Sequence, residues 1–414
     1  MSDTVKVSDT IPGMRPLRRR DPGEQQRTTN LELFYDLVFV FAVTQVSHLL
    51  LAHLTIAGAA KSALVLLVVW WAWNYTTWVT NELDPDSDAV RLLLLGIMLA
   101  SLLMAVAIPE AFGSRALLFA GSYVAIQVGR HLFLTFVAAG PGTIERERAG
   151  PILIWFAVAG VLWIGGGLAH DGLRIVLWLA ALALDYCAPL ALYWLPGRPR
   201  LHGSDWQVGT EHFAERFQLF IIIALGESIV VIGATTSDLH LNAVRLLAFA
   251  LAFVTTAALW WLYFTYVAAI ATRRLELSAT RTTLARDAYA YLHVVFVAGI
   301  IVTAVGQELV IAHPTEELAG RAIVAVVAGP TIYLLAHVLF RLRMTGTTSN
   351  KRLTAAVACL AAGALGPFVT GLALALILAA VLIGLIGAEQ LTAVRRRTRG
   401  EPSPRERLEA SAGS

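Results

Sequence analysis

The residues with the most chemical capacity in this chain are ionisable side chains set inside long apolar runs. Asp36 and His48 lie in one run, Arg130 and His131 in a second, and Glu215, Arg216 and Glu227 in a third. An ionisable group at the middle of a bilayer costs roughly 2.5–3.5 kcal/mol on insertion scales, so it needs a partner, water or a task. The chemistry open to this set is exchange of a proton or an ion. Asp36, Glu215 and Glu227 would carry the exchangeable charge, Arg130 and Arg216 would balance it, and His48 or His131 could relay protons. At about 100° per residue, Glu32, Asp36, Thr44, Ser47 and His48 share one helical arc. Glu211, His212, Glu215, Arg216 and Glu227 share the matching arc of their own helix. Glu227 comes 16 residues after Glu211, about 24 Å along a helix axis, which places it far from the interface where that helix begins. Buried pairs that only fix packing are the alternative, such as Asp36 with Arg216 or Glu215 with Arg130. Arg130 is also a candidate partner for Glu227 or Asp36.

The elements that must position these groups are membrane-spanning helices. The chain has 414 residues, 57% hydrophobic and 15% charged, with a mean hydropathy of +0.67. A soluble domain carries about 25% charged residues. Apolar runs longer than about 18 residues mark spans, and they fall near 31–54, 59–80, 89–109, 115–139, 150–169, 173–194, 211–236, 241–270, 284–312, 319–340, 352–369 and 370–389. Lipid offers the backbone no hydrogen bonds, so these are helices. They lack the alternation of barrel strands. The expected fold is an all-α, polytopic transmembrane bundle of about twelve spans. The last two read as a hairpin broken at Gly366–Pro367, and fusing them would leave eleven. With the N-terminus inside, 25 of the 32 Lys and Arg residues fall on inner segments or tails. This bias puts both termini in the cytoplasm of a cell-membrane protein and favours an even count. The expected organisation is a disordered N-tail over 1–30, six-span halves over 31–200 and 201–390, and a disordered C-tail over 391–414.

The halves read as repeats. An offset of 179 aligns Glu32 with Glu211, Phe34 with Phe213, Asp36 with Glu215, Phe41 with Phe220 and His48 with Glu227. Trp70–Trp71 matches Trp260–Trp261, Glu110 matches Glu308, and Tyr123 matches Tyr333, with offsets that grow steadily. Six spans per half makes the repeat parallel, about an axis along the membrane normal.

Other features read more plainly. Trp70, Trp71, Trp73, Tyr75 and Trp78 could hold a cation or an aromatic ligand, though packing or an interfacial belt is the simpler role. The loop from Asn81 to Asp88 is acidic but lacks EF-hand spacing and reads as a solvated turn. Cys187 and Cys359 lie in apolar runs and read as small hydrophobes. No P-loop, G-x-S-x-G, HExxH or Cys-pair motif is present, so neither an enzyme, a cofactor nor a metal site is expected. The small net charge of +3 argues against nucleic acid, which leaves the lipid bilayer and an unidentified small molecule or ion as partners.

The motifs ELFYDLVFVFAVTQVSH (32–48), WWAWNYTTWVTNELDPD (70–86) and HFAERFQLFIIIALGESI (212–229) together resemble the bacterial low temperature requirement protein A family. The resemblance implies a bacterial integral membrane protein and no settled activity. A shorter run, Phe34 to Thr44, resembles the pore-lining first helix of six-span potassium channels of bacteria and lysosomes. The leading expectation is an ion-coupled transporter with a charged site between spans 1 and 7. The alternatives are an ion channel, or a non-transport membrane protein in cold or envelope adaptation.

Overall fold

The computed structural model describes residues 16–17, 28–198, 201–202, 206, 209–237 and 239–412. Every regular element among them is helical. The long helices are α1 Asn30–Ala52, α2 Ile56–Thr80, α3 Asp88–Ala107, α4 Ala116–Phe133, α5 Ile144–Leu168, α6 Asp171–Cys187, α7 Thr210–Ser237 and α8 Ala243–Tyr263. A short α9, Ala269–Glu276, and a single turn, α10 Arg281–Leu284, lead into α11 His293–Ala312. Then come α12 Gly320–Thr345, α13 Asn350–Ala362, α14 Gly371–Thr398 and α15 Pro404–Ala412.

Among the described residues, ten helices are long and apolar enough to cross a membrane. The sequence reading has about twelve. The two that fall short are α6, at 17 residues, and α13, at 13. A 3₁₀ turn at Gly363–Phe368 continues α13 and separates it from α14, so the expected break at Gly366–Pro367 is present. Large apolar side chains point outward all round the bundle, among them Leu92, Val161, Val176 and Phe368 at 70, 72, 61 and 80% exposure. In water such a surface is a liability, and in lipid it is the solvent-matched one.

Local chemistry starts the helices. Thr29 accepts from Glu32 N–H at 3.3 Å while the Glu32 carboxylate accepts from Thr29 N–H at 2.9 Å, a reciprocal cap that fixes the entry of α1. Thr55, Thr143 and Thr370 cap α2, α5 and α14 in the one-sided form. Three stretches carry wider π turns: Leu134–Ala138, Phe264–Ala268 and Ala285–Tyr291. The expected disordered C-tail differs from what is observed, because α14 continues to Thr398 and α15 is held by an Arg273–Glu409 ion pair of 3.1 Å.

α1 packs against α2, α3, α7 and α11, and α7 packs against α1, α8 and α11. The most extensive contact joins α11 to α12, and it runs through glycines. A Cβ on Gly329 would sit 2.4 Å from Thr303 N, one on Gly299 2.7 Å from Tyr333 N, and one on Gly306 2.8 Å from Val326 Cα. With no hydrophobic drive between helices in lipid, such close backbone approach supplies the packing.

Candidate functional site

The seam between α1 and α7 holds two polar clusters. The first lies at the start of both helices. Glu32 and Asp36 are one turn apart on α1, and His212 and Arg216 are one turn apart on α7, so the four form two rungs. His212 Nε2 lies 3.0 Å from Glu32 Oε1, and Arg216 Nη2 donates to Asp36 Oδ1 at 2.7 Å. Trp73 of α2 donates its indole N–H to the same Asp36 oxygen at 2.8 Å. Arg216 Nη1 lies 3.9 Å from Glu32. All four side chains are buried, none more than 1% exposed. This is a sealed, charge-paired contact, and the Asp36–Arg216 packing pair read from the sequence is present. Both rungs join residues 180 apart in increasing order, so α1 and α7 run in the same direction.

The second cluster lies further along the same seam and is built differently. Glu227 is 1% exposed. Its Oε2 accepts a very short hydrogen bond from Thr44 Oγ of α1. Its Oε1 is buried with no hydrogen-bond partner, as are the hydroxyls of Ser47 and Ser228. Among the described residues no Arg or Lys forms an ion pair with Glu227. His48 is exposed on α1.

Arg130 belongs to neither cluster. The sequence offered Glu227, Asp36 and Glu215 as its partners, and none of them pairs with it among the described residues. Arg130 instead turns toward α2. It donates to Thr76 Oγ at 2.8 Å and Ala72 O at 3.4 Å, bonds Gln127 within its own helix, and lies 5.5 Å from the Tyr75 ring centre. From Gln127 the network runs to Tyr123 at 2.9 Å, and Tyr123 donates to Asp185 at 2.9 Å, which also accepts from Trp163 at 2.9 Å. His131 is buried beside it, its Nδ1 on Gln127 O at 2.8 Å. Glu215 is half-buried and accepts from Thr28 N–H at 3.2 Å.

Of the seven residues singled out from the sequence, the structure therefore places Asp36 and Arg216 in one cluster, Glu227 further along the same seam and His48 exposed on α1. Arg130 and His131 form a third centre inside the first half of the chain, and Glu215 stands near the first cluster without pairing across it. Trp73, Ser228, Gln127, Tyr123 and Trp163 were not singled out as a set. Tyr123, Gln127 and Arg130 share one helical face by their spacing, a signal that was available. Nothing in the sequence marks Trp163 as a partner of Asp185.

The model of the family described as "Bacterial low temperature requirement A protein (LtrA)" matches residues 27–387. The chain belongs to this family. A relative of this LtrA protein is "Uncharacterized protein RA0937" of Rhizobium meliloti (strain 1021), 37% identical over 318 residues, which are 76% of this chain and 77% of that protein. No solved structure matches. The matched span takes in both clusters of the α1–α7 seam, and the apolar helices make this LtrA protein a multi-pass membrane protein.

The aromatic group read as belt or packing is packing on α2. Trp70, Trp71 and Trp73 are 1% exposed or less, with Trp70 donating to Ala290 O at 2.7 Å. The counterparts proposed for Trp70 and Trp71, Trp260 and Trp261, are 45 and 41% exposed and face outward. The acidic loop is a turn in which Arg91 pairs with Asp86 at 3.1 Å and Asp88 at 3.2 Å.

Proposed function

We propose that this LtrA protein is an ion-coupled transporter of the cell membrane, exchanging protons for a small cation, with Glu227 as the exchangeable carboxylate. One observation carries the reading: Glu227 is buried, bonded only to the Thr44 hydroxyl, with one carboxylate oxygen unpartnered and no Arg or Lys ion pair among the described residues. A carboxylate placed so at membrane depth is costly unless a proton or a cation joins it. Thr44 and the carboxylate itself offer oxygen atoms, the ligand type hard cations take. The paired cluster at Asp36 and Arg216 then serves as a fixed hinge on which the two halves meet. In this reading the chain has no catalytic centre.

The same reading takes the architecture as twelve spans in two parallel six-span halves with both termini cytoplasmic. Supporting it, α6 spans about 26 Å, and α13 with its 3₁₀ extension about 32 Å, close to a hydrocarbon core of roughly 30 Å. α1 also contacts α2 and α3 as α7 contacts α8 and α11.

The test is proton flux in liposomes loaded with a pH-sensitive dye, with a pH gradient imposed and Na⁺ or K⁺ outside. The full-length protein should speed the cation-dependent pH change over empty liposomes, and Glu227→Gln should abolish it. Equal flux from the variant would remove Glu227 from the role. A second reading, a non-transport membrane protein, is favoured by the sealed packing around Glu227, and it expects no flux from either protein. A steady current without cation exchange would point to a channel instead.

A further inference from the structure

α12 carries an apolar stripe toward a basic end. Leu335, Leu339 and Leu342, spaced four and three residues apart on one helical face, are 37, 45 and 45% exposed and look outward from the bundle. At Leu342 the stripe opens into a groove of about 530 Å³ between the end of α12, the start of α11 and α9. Leu292, Leu339, Leu342 and Gly346 line it, together with Arg274 of α9 and Arg343 of α12. Among the described residues no acidic side chain lines this groove. Its size falls in the range of small-molecule sites, roughly 300–1,000 Å³, and exceeds what a single ion needs.

Both arginines keep donors to spare. Arg274 is half-buried and donates through Nε to Met344 O at 3.1 Å, and nothing among the described residues bonds its two terminal nitrogens. Arg343 bonds Asp287 Oδ2 through Nε and Nη2 at 3.0 and 2.8 Å, while Arg286 donates to the other oxygen of that carboxylate at 2.8 Å. One negative charge thus faces two guanidiniums, and Arg274 adds a further positive charge. The C-terminus of a helix ordinarily repels an anion, because its last carbonyls are open. Here those carbonyls are taken. The Thr345 hydroxyl donates to Arg341 O at 3.0 Å, Gly346 N–H to Leu342 O at 2.9 Å, and Arg274 to Met344 O. Gly346, at φ 69°, ends the helix in the left-handed conformation.

We propose that this groove binds one anionic phospholipid. Arg274 holds its phosphate with Arg343 beside it, and an acyl chain lies along Leu342, Leu339 and Leu335. A guanidinium with two open terminal nitrogens matches the paired oxygens of a phosphate. Basic pockets between helices at a membrane interface take such headgroups. Free phosphate shares the headgroup chemistry but has nothing to lay on the leucine stripe. The proposal needs neither a particular orientation of the chain nor transport at Glu227.

Native mass spectrometry tests it, with the full-length protein in detergent titrated with phosphatidylglycerol or with phosphatidylcholine of identical chains. One phosphatidylglycerol per chain is expected, bound about tenfold tighter than phosphatidylcholine. Arg274→Gln should remove most of that preference. Leu342→Glu sets a carboxylate in the groove wall at an exposed position and leaves both arginines in place. It should remove the preference as well, even if Arg274→Gln folds poorly. Arg91→Gln deletes one exposed cation at the start of α3, outside the groove, and should change nothing. Equal binding of the two lipids by the wild type overturns the proposal. So does a preference that survives in folded Arg274→Gln or Leu342→Glu, or one that Arg91→Gln reduces as much. Displacement of the bound lipid by millimolar inorganic phosphate also overturns it, since the groove would then be a site for the free anion.

Discussion

The two polar clusters of the α1–α7 seam use the same two helices and reach the same burial, yet they handle charge in opposite ways. At the start of the helices, Asp36 meets Arg216 at 2.7 Å, Trp73 adds a second donor, and His212 meets Glu32 at 3.0 Å. Further along, Glu227 meets only the hydroxyl of Thr44, with no Arg or Lys paired to it among the described residues. A charge held by a fixed countercharge cannot leave or change without breaking the contact, so the first cluster suits a fastener. A buried carboxylate with no countercharge of its own suits a group whose charge is balanced by something that comes and goes. Depth in the membrane does not separate a structural charge from a working one; the partner does.

The largest effect that probes this contrast is removal of the guanidinium. Arg216→Met leaves Asp36, and in part Glu32, as buried carboxylates without a countercharge. Breaking one side of a buried pair costs about 3–5 kcal/mol, so the variant should unfold at markedly lower temperature in detergent or fail to accumulate. The double change Asp36→Leu with Arg216→Met should recover much of the loss, because a buried pair replaced as a unit is often near neutral. An unchanged melting temperature for the single variant would mean that the first cluster is wetter than it looks.

Much of this contrast was legible in the sequence, though only in part. The matching arcs of Asp36 and Arg216 on helices of the right length gave the seam, and the pair itself follows from opposite charges on faces that meet. The even spacing of apolar runs gave the helical class, since lipid leaves the backbone no other choice. The set of seven charges did not form one site, because periodicity gives a side chain's face but not the helix that face meets. Arg130 shows this: its direction toward Thr76 on α2 depends on how α4 leans against α2, which no local pattern records. The shortness of α13 was likewise hidden, because Gly363–Phe368 is apolar enough to read as helix while its backbone tightens to a 3₁₀ turn.

The same carboxylate-to-amide change made at the two clusters sharpens the comparison. Asp36→Asn keeps the shape but removes the charge that Arg216 faces. Hydrogen bonds to charged groups contribute about 1.5–3 kcal/mol, and the variant should lose stability on that scale in a denaturant titration in detergent. A loss well below about 1 kcal/mol would show that Glu32 holds Arg216 without help, and the fastener would then rest on the Glu32–His212 rung.

Glu227→Gln should have the smallest effect on stability and the largest on flux. The amide keeps an acceptor for Thr44, while the cost of a buried, unpaired charge disappears. The expected change runs from none to about 1 kcal/mol of added stability, opposite in sign to Asp36→Asn, in the same titration. Such a pair of opposite signs from one chemical edit can arise only if Asp36 is matched by the protein and Glu227 is not. Destabilisation of Glu227→Gln by as much as Asp36→Asn would mean that Glu227, too, has a fixed countercharge in the membrane, and the distinction between the two ends of the seam would be lost.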